Sequence, residues 1–121
     1  MENREDQLLL SQKKILESVA LGDGFQETLD ELCTASELLV PDSVCSVMVF
    51  DKSRRHLDVV SGPNLPVEIV ERLNGTAPGE RSGSCAMAVC QNAPVYVSNT
   101  FEDDCWLDTR QLAADFNIRA C

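Results

Sequence analysis

Aromatic residues are scarce. They make up 5% of this 121-residue chain, with one Trp, one Tyr and four Phe. So few ring faces leave no base-stacking surface for single-stranded nucleic acid. Basic residues are also few: ten Lys and Arg against twenty Asp and Glu, a net charge of -10. Phosphate binding needs a cationic face, so nucleic acid and anionic membranes are disfavoured as partners. The acidic excess reads first as a source of solubility. Histidine occurs once, at His56. A His-rich zinc site or a Cys–His dyad therefore has a single candidate, and that one stands beside Arg54 and Arg55 as a solvated edge residue. No run reaches the ~18 apolar residues of a membrane span. The start, MENREDQLLL, lacks the basic opening and long apolar core of a signal peptide. The chain is expected to be cytoplasmic, where thiols stay reduced, so six cysteines do not argue for three disulfides.

What is present suits one soluble domain. Hydrophobic residues reach 44% and charged residues 25%. A chain of this length buries roughly two thirds of its unfolded surface and needs no staple. Glu5–Leu21 reads as a helix, with Leu8, Leu9, Ile15, Leu16 and Val19 at spacings of three, four and seven. The stripe is narrow, interrupted by Gln12 and Lys13, and fits pairing with another helix. Leu21–Gly24 ends it, with Gly22 as a left-handed cap. Phe25–Leu39 is a second helix, its apolar face drawn through Phe25, Leu29, Leu32, Cys33, Ser36 and Leu39, and Pro41 stops it. Val44–Phe50 and His56–Ser61 read as a hairpin around DKSRR. Val67–Leu73 is a short helix. Ser84–Gln91 is another, capped by Ser84. Pro94–Ser98 reads as a strand, Cys105–Phe116 as a helix, and the chain closes on an extended NIRAC. The order predicts an α+β fold with a mainly antiparallel sheet.

Three of the cysteines crowd RSGSCAMAVCQNAPVYVSNTFEDDCW. Zinc is disfavoured there. Structural zinc ligands pair two to four residues apart, and Cys85 and Cys90 on a helix point apart by roughly 500° at 3.6 residues per turn. A reactive thiol is the sharper reading. Cys85 in the first turn of a helix meets unpaired amides and a dipole that favour a thiolate, and Cys90 or Cys105 would resolve it. The bland reading treats GSCAMA as a small-residue run where cysteine packs like a larger alanine. Cys33 and Cys45 are expected to be ordinary core residues. The glycine-rich PGERSGS loop runs into a helix N-terminus, where a small anion or polar ligand would meet free amides. It lacks the Gly-Lys-Ser/Thr of a P-loop.

Gly83-Ser84-Cys85, Pro94-Val95-Tyr96-Val97, Asp103-Asp104-Cys105-Trp106 and Ile118-Arg119-Ala120-Cys121, in that order, resemble the second half of a bacterial signalling GAF domain. The first half agrees, with a helix followed by CSVMVFD and a return into GPNLP. The resemblance runs from Ile15 onward. It implies a central antiparallel sheet flanked by helices, with the family's last strands and final helix missing here. It divides the chain into an N-terminal dimerisation or signalling helix, 1–22, and an incomplete GAF domain, 23–121.

The function implied is non-catalytic. Such a domain binds an unidentified small molecule, forms a homodimer through the terminal helix, and controls an attached output domain. Met48 and Phe50 of the first strand, or their neighbours of opposite parity, would line the pocket with Ser84 and Cys85. Gly83, Pro94 and Trp106 would be structural, with Trp106 anchoring the sheet end. No metal is implied and no cofactor is named. The cyclic-nucleotide signature Asn-Lys-x-Phe-Asp-Glu and the Cys-His pair of bilin-binding members are both absent. One catalytic branch, the free methionine-(R)-sulfoxide reductases, places cysteines near Cys85 and Cys105, so a thiol enzyme using Cys85 with Cys105 or Cys90 is an alternative. A ligand-free dimerisation scaffold is another.

Overall fold

The computed structural model describes residues 4–22 and 24–121. Residues 1–3 of the N-terminal segment and Asp23 of the Leu21–Gly24 turn lie outside the described residues. The fold is mixed α+β, with helices before and after a two-stranded antiparallel sheet. The elements are α1 (Arg4–Ala20), α2 (Phe25–Leu39), β1 (Val47–Asp51), β2 (His56–Ser61), α3 (Val67–Leu73), α4 (Ser84–Gln91), a 3₁₀ helix (Asp104–Thr109) and α5 (Arg110–Phe116). Among the described residues no helix is long and apolar enough to cross a membrane. The chain divides into two compact units. One runs up to Val47 and takes in Val59–Leu65, and the other holds Met48–Asp58 and Pro66–Cys121.

In the first unit α1 packs on α2. Gly22 closes α1 with φ 74°, its amide donating to Val19 O at 3.2 Å. The apolar stripe of α1 is not what α2 covers. Gln7, Ser11 and Ile15 are half-buried, whereas Leu8, Leu9, Leu16 and Val19 stay exposed. The covered face of α2 also differs from the apolar face drawn from sequence. Phe25 is 72% exposed and Leu32 is exposed, while Cys33 is fully buried. The reason is a polar line, Gln26, Asp30, Cys33 and Glu37, at helical spacings of four, three and four. Ser61 Oγ donates to Asp30 Oδ1 at 2.6 Å, and Gln26 Nε2 donates to both Asp30 Oδ1 and Val60 O at 2.9 Å. Asn64 Nδ2 donates to Glu37 Oε2 at 2.9 Å. These hydrogen bonds tie the polar edge of the helix to Val60, Ser61 and Asn64.

The hairpin closes on Asp51. Its Oδ1 accepts from Ser53 N (2.9 Å), Ser53 Oγ (2.7 Å) and Arg54 N (3.2 Å), and these bonds, Ser53's side chain first, hold the carboxyl below its ordinary range. An aspartate that bonds the amides two and three residues on is a turn-maker. His56 is not the solvated edge residue expected. It is half-buried, with Nε2 3.0 Å from Asp58 Oδ2, because residues two apart on a strand share a face.

The second unit carries the main apolar core: Val97, Cys105, Trp106, Leu112 and Ala113, with Leu73, Met87 and Phe116 packed against it. Two sequence expectations change here. Pro94–Ser98 is extended but forms no strand. Val97 and Cys121 exchange backbone hydrogen bonds (2.6 and 2.8 Å), and Thr100 N donates to Arg119 O at 2.9 Å. One reciprocal pair is too short for a ladder. The expected helix Cys105–Phe116 begins as a 3₁₀ turn. Asp103 Oδ1 accepts from Cys105 N at 2.9 Å, and this cap starts the segment one residue earlier and tighter than an α-turn. Arg72 ties α3 to α5 through Asp115 Oδ2 (2.7 Å) and lies over the Phe116 ring (5.6 Å).

Candidate functional site

The residues singled out from sequence gather mostly where α4 meets the 3₁₀ helix. Gly83 precedes α4 with φ 102° and ψ 171°. Only glycine adopts that region without strain. Its amide donates to Cys105 O at 2.8 Å. A Cβ there would meet nothing closer than Thr109 Oγ1 at 3.8 Å, so the demand is on backbone conformation, not space. Gly83→Ala is therefore expected to cost about 1–3 kcal/mol, the strain of a non-glycine residue in a glycine-only region. Urea unfolding of the two chains measures it, and equal midpoints would refute it.

Ser84 was expected to cap α4. Instead Gly83 is the cap, and Ser84 is the first helical residue. Its hydroxyl is turned inward, accepting from Trp106 Nε1 at 2.9 Å. Both residues are buried. A buried indole N–H needs a partner, and this one takes the serine. Cys105, also buried, lies beside Ser84. Burial pushes the Cys105 thiol up, Asp103 and Cys121 add to that, and Ser84 opposes it.

Cys85, the next residue along α4, has an exposed surface. Its sulfur is nonetheless desolvated enough to push the thiol up, with Cys121 nearby adding to the effect. This is opposite in direction to the helix-terminus activation expected from the sequence. The thiolate is the nucleophile, so a raised thiol is a slow one at neutral pH. Iodoacetamide is expected to alkylate Cys85 more slowly at pH 7 than it does a free cysteine. The rate should still be rising above the ordinary thiol value of about 8.5. Mass spectrometry at Cys85 across a pH series checks this, and a plateau reached below pH 8 would overturn it.

Gly83, Ser84 and Trp106 are thus brought together. Met48 and Phe50 sit in the same compact unit, half-buried on β1, with Val49 between them turned to the exposed face. Pro94 is exposed and opens the extended segment that leads to Val97. Among the described residues no group of three or more His, Cys, Asp or Glu is placed to hold a metal ion. A shallow open depression is lined by Leu9, Gln12, Lys13, Leu16, Glu17 and Ala20, all on α1.

Sequence reading missed the polar line on α2. Its signal was present in Gln26, Asp30, Cys33 and Glu37 at four-three-four spacing. Glu37 Oε1 is buried with no hydrogen-bond partner, and Cys45 lies close to it.

No family model matches the chain, and no solved structure gives a significant match. Among curated proteins, the methyl sulfide methyltransferase-associated sensor of Methanosarcina acetivorans is 28% identical over 116 residues. That alignment covers 96% of this chain and 12% of the relative, so the chain spans about an eighth of the length of the curated protein it matches. The chain is similar in sequence to a module-sized stretch of a sensor protein.

Proposed function

We propose that this chain is a non-catalytic regulatory domain of the GAF type. It pairs with a second copy through α1 and binds a small molecule that biases an attached output domain in the cytoplasm. The observation that carries this reading is the alignment with a sensor along 96% of the chain but only 12% of the relative. A stretch that aligns along nearly its whole length with a small part of a long sensor protein fits a regulatory module. The ordered motifs from Gly83-Ser84-Cys85 to Ile118-Arg119-Ala120-Cys121 support the GAF assignment. The exposed leucines of α1 support pairing, because a narrow apolar stripe left uncovered on a helix fits a coiled-coil-like partner. The raised Cys85 thiol speaks against the reductase alternative, whose chemistry needs an activated sulfur. The ligand biases output only by its difference in affinity between two states of the domain.

A ligand that binds the folded chain raises its stability by mass action. The test is thermal unfolding in the presence of fractions from the small-molecule part of a cytosolic extract. At least one fraction is expected to raise the midpoint. No shift in any fraction would count against ligand binding and favour a ligand-free pairing scaffold.

A further inference from the structure

The tip of the β1–β2 hairpin is cationic in an acidic chain. Three of the ten Lys and Arg residues, Lys52, Arg54 and Arg55, fall within four positions, while the whole chain carries a net charge of -10. All three are exposed. Four other cations are paired: Lys13 with Glu17, Arg72 with Asp115, Arg81 with Asp108 and Arg110 with Asp104. No ion pair joins Lys52, Arg54 or Arg55 to an acidic side chain among the described residues. The carboxylate at the turn, Asp51, is taken up by Ser53 and by the Arg54 amide. Arg55 N donates to Asp51 O at 2.7 Å and closes the turn. Arg55 has φ 57°, a left-handed conformation that glycine or asparagine adopts at less cost. A long cation there does not favour the turn, and like charges held this close repel. The turn geometry explains Asp51 and leaves the three cations without a role in the fold.

We propose that this hairpin tip is a docking surface for a short acidic protein segment, whose carboxylates meet Lys52, Arg54 and Arg55. Charge complementarity favours an anionic partner. The tip's own chemistry selects among anions. Lys52–Arg55 has no ring on which a base could stack and no apolar side chain to enter a lipid surface. A long polyanion or a membrane would also meet the chain's twenty acidic residues, whereas a short segment need touch only the tip. At ~0.15 M salt the Debye length is about 8 Å, so a ligand seated there is screened from acid farther away. The tip acts independently of α1 pairing and of small-molecule binding, so its failure would leave the sensor reading untouched.

The test titrates the isotope-labelled 121-residue chain with an octaglutamate peptide at ~0.15 M salt and follows the amide NMR shifts. Shifts are expected at residues 51–56. Salt at ~1 M, where the Debye length is about 3 Å, should abolish them. Replacing all three cations together (Lys52→Gln, Arg54→Gln, Arg55→Gln) should weaken binding about tenfold, the combined scale of three exposed ion pairs. Arg55→Gly alone should weaken binding yet raise the urea midpoint, because glycine relieves the left-handed position. That pair of readouts separates docking from folding. The proposal fails if the peptide shifts no amide in 51–56, or if the triple variant binds as tightly as the natural chain. It also fails if an oligothymidylate or phosphatidylserine vesicles bind the tip more tightly than the peptide, since nucleic acid or membrane would then be the occupant.

Discussion

Leu16→Asp is expected to convert a dimer of this chain into a monomer, with the dissociation constant raised at least ~1000-fold. Leu16 is 68% exposed on α1 and Leu9 is 64% exposed one face-step away. Neither has a fixed role in the packing of α1 on α2, which uses the Gln7, Ser11 and Ile15 edge. Full burial of a leucine side chain stabilises by about 1.5–3 kcal/mol. In a symmetric pair each substitution acts twice, and an aspartate placed in the seam adds a desolvation cost. A loss of about 4 kcal/mol or more is three decades in affinity at ~1.4 kcal/mol per decade. Leu38→Asp is the control. Leu38 is also an exposed leucine, but it lies on α2, and the variant should still pair. Sedimentation equilibrium distinguishes the cases. A Leu16→Asp chain that remains dimeric would remove α1 from the interface.

The second large effect is expected at Trp106. It is 4% exposed and packs with Val97, Cys105, Leu112 and Ala113. Trp106→Ala removes the largest side chain of that core and should cost ~3–5 kcal/mol. It also deprives Ser84 Oγ of its indole donor. Small domains hold only about 5–15 kcal/mol in total, so this variant stands close to unfolding. Trp106→Phe separates the two contributions. It keeps a ring in the core but loses the N–H, and the cost should fall to about 1–3 kcal/mol, the scale of one buried polar group left unpaired. Urea midpoints at constant slope report both. A Trp106→Ala loss below about 1 kcal/mol would mean that the residue is not a core anchor.

Much of the helical framework was legible because periodicity and punctuation agreed. Phe25–Leu39, Val67–Leu73 and Ser84–Gln91 have the bounds read from the sequence. The hairpin was legible for the same reason, with β-branched runs on either side of a turn built on Asp51, although its first strand runs Val47–Asp51 instead of the expected Val44–Phe50. Elements that depend on distant partners were less legible. Pro94–Ser98 has strand composition, yet strand formation needs a long enough neighbour, and its pairing is the single Val97–Cys121 exchange. The 3₁₀ turn depends on Asp103 bonding Cys105 N and on the indole of Trp106 reaching Ser84, neither of which is a periodic signal.

The site was legible in part. Ser84 and Trp106 were both singled out, but their contact was not, because 22 positions separate them. Cys85 shows the limit of a local rule. Its place in the first turn of α4 suggested a low thiol, whereas the surrounding desolvation and Cys121 drive it the other way. On α2 the apolar stripe was read and the polar line beside it, which bonds Val60, Ser61 and Asn64, was passed over.

The most direct measurement for the proposed regulatory module is native mass spectrometry of the chain purified from cytosol, beside a denatured sample. The account predicts a dimer carrying a small-molecule mass that denaturation releases. A bare monomer at every concentration tested would contradict it.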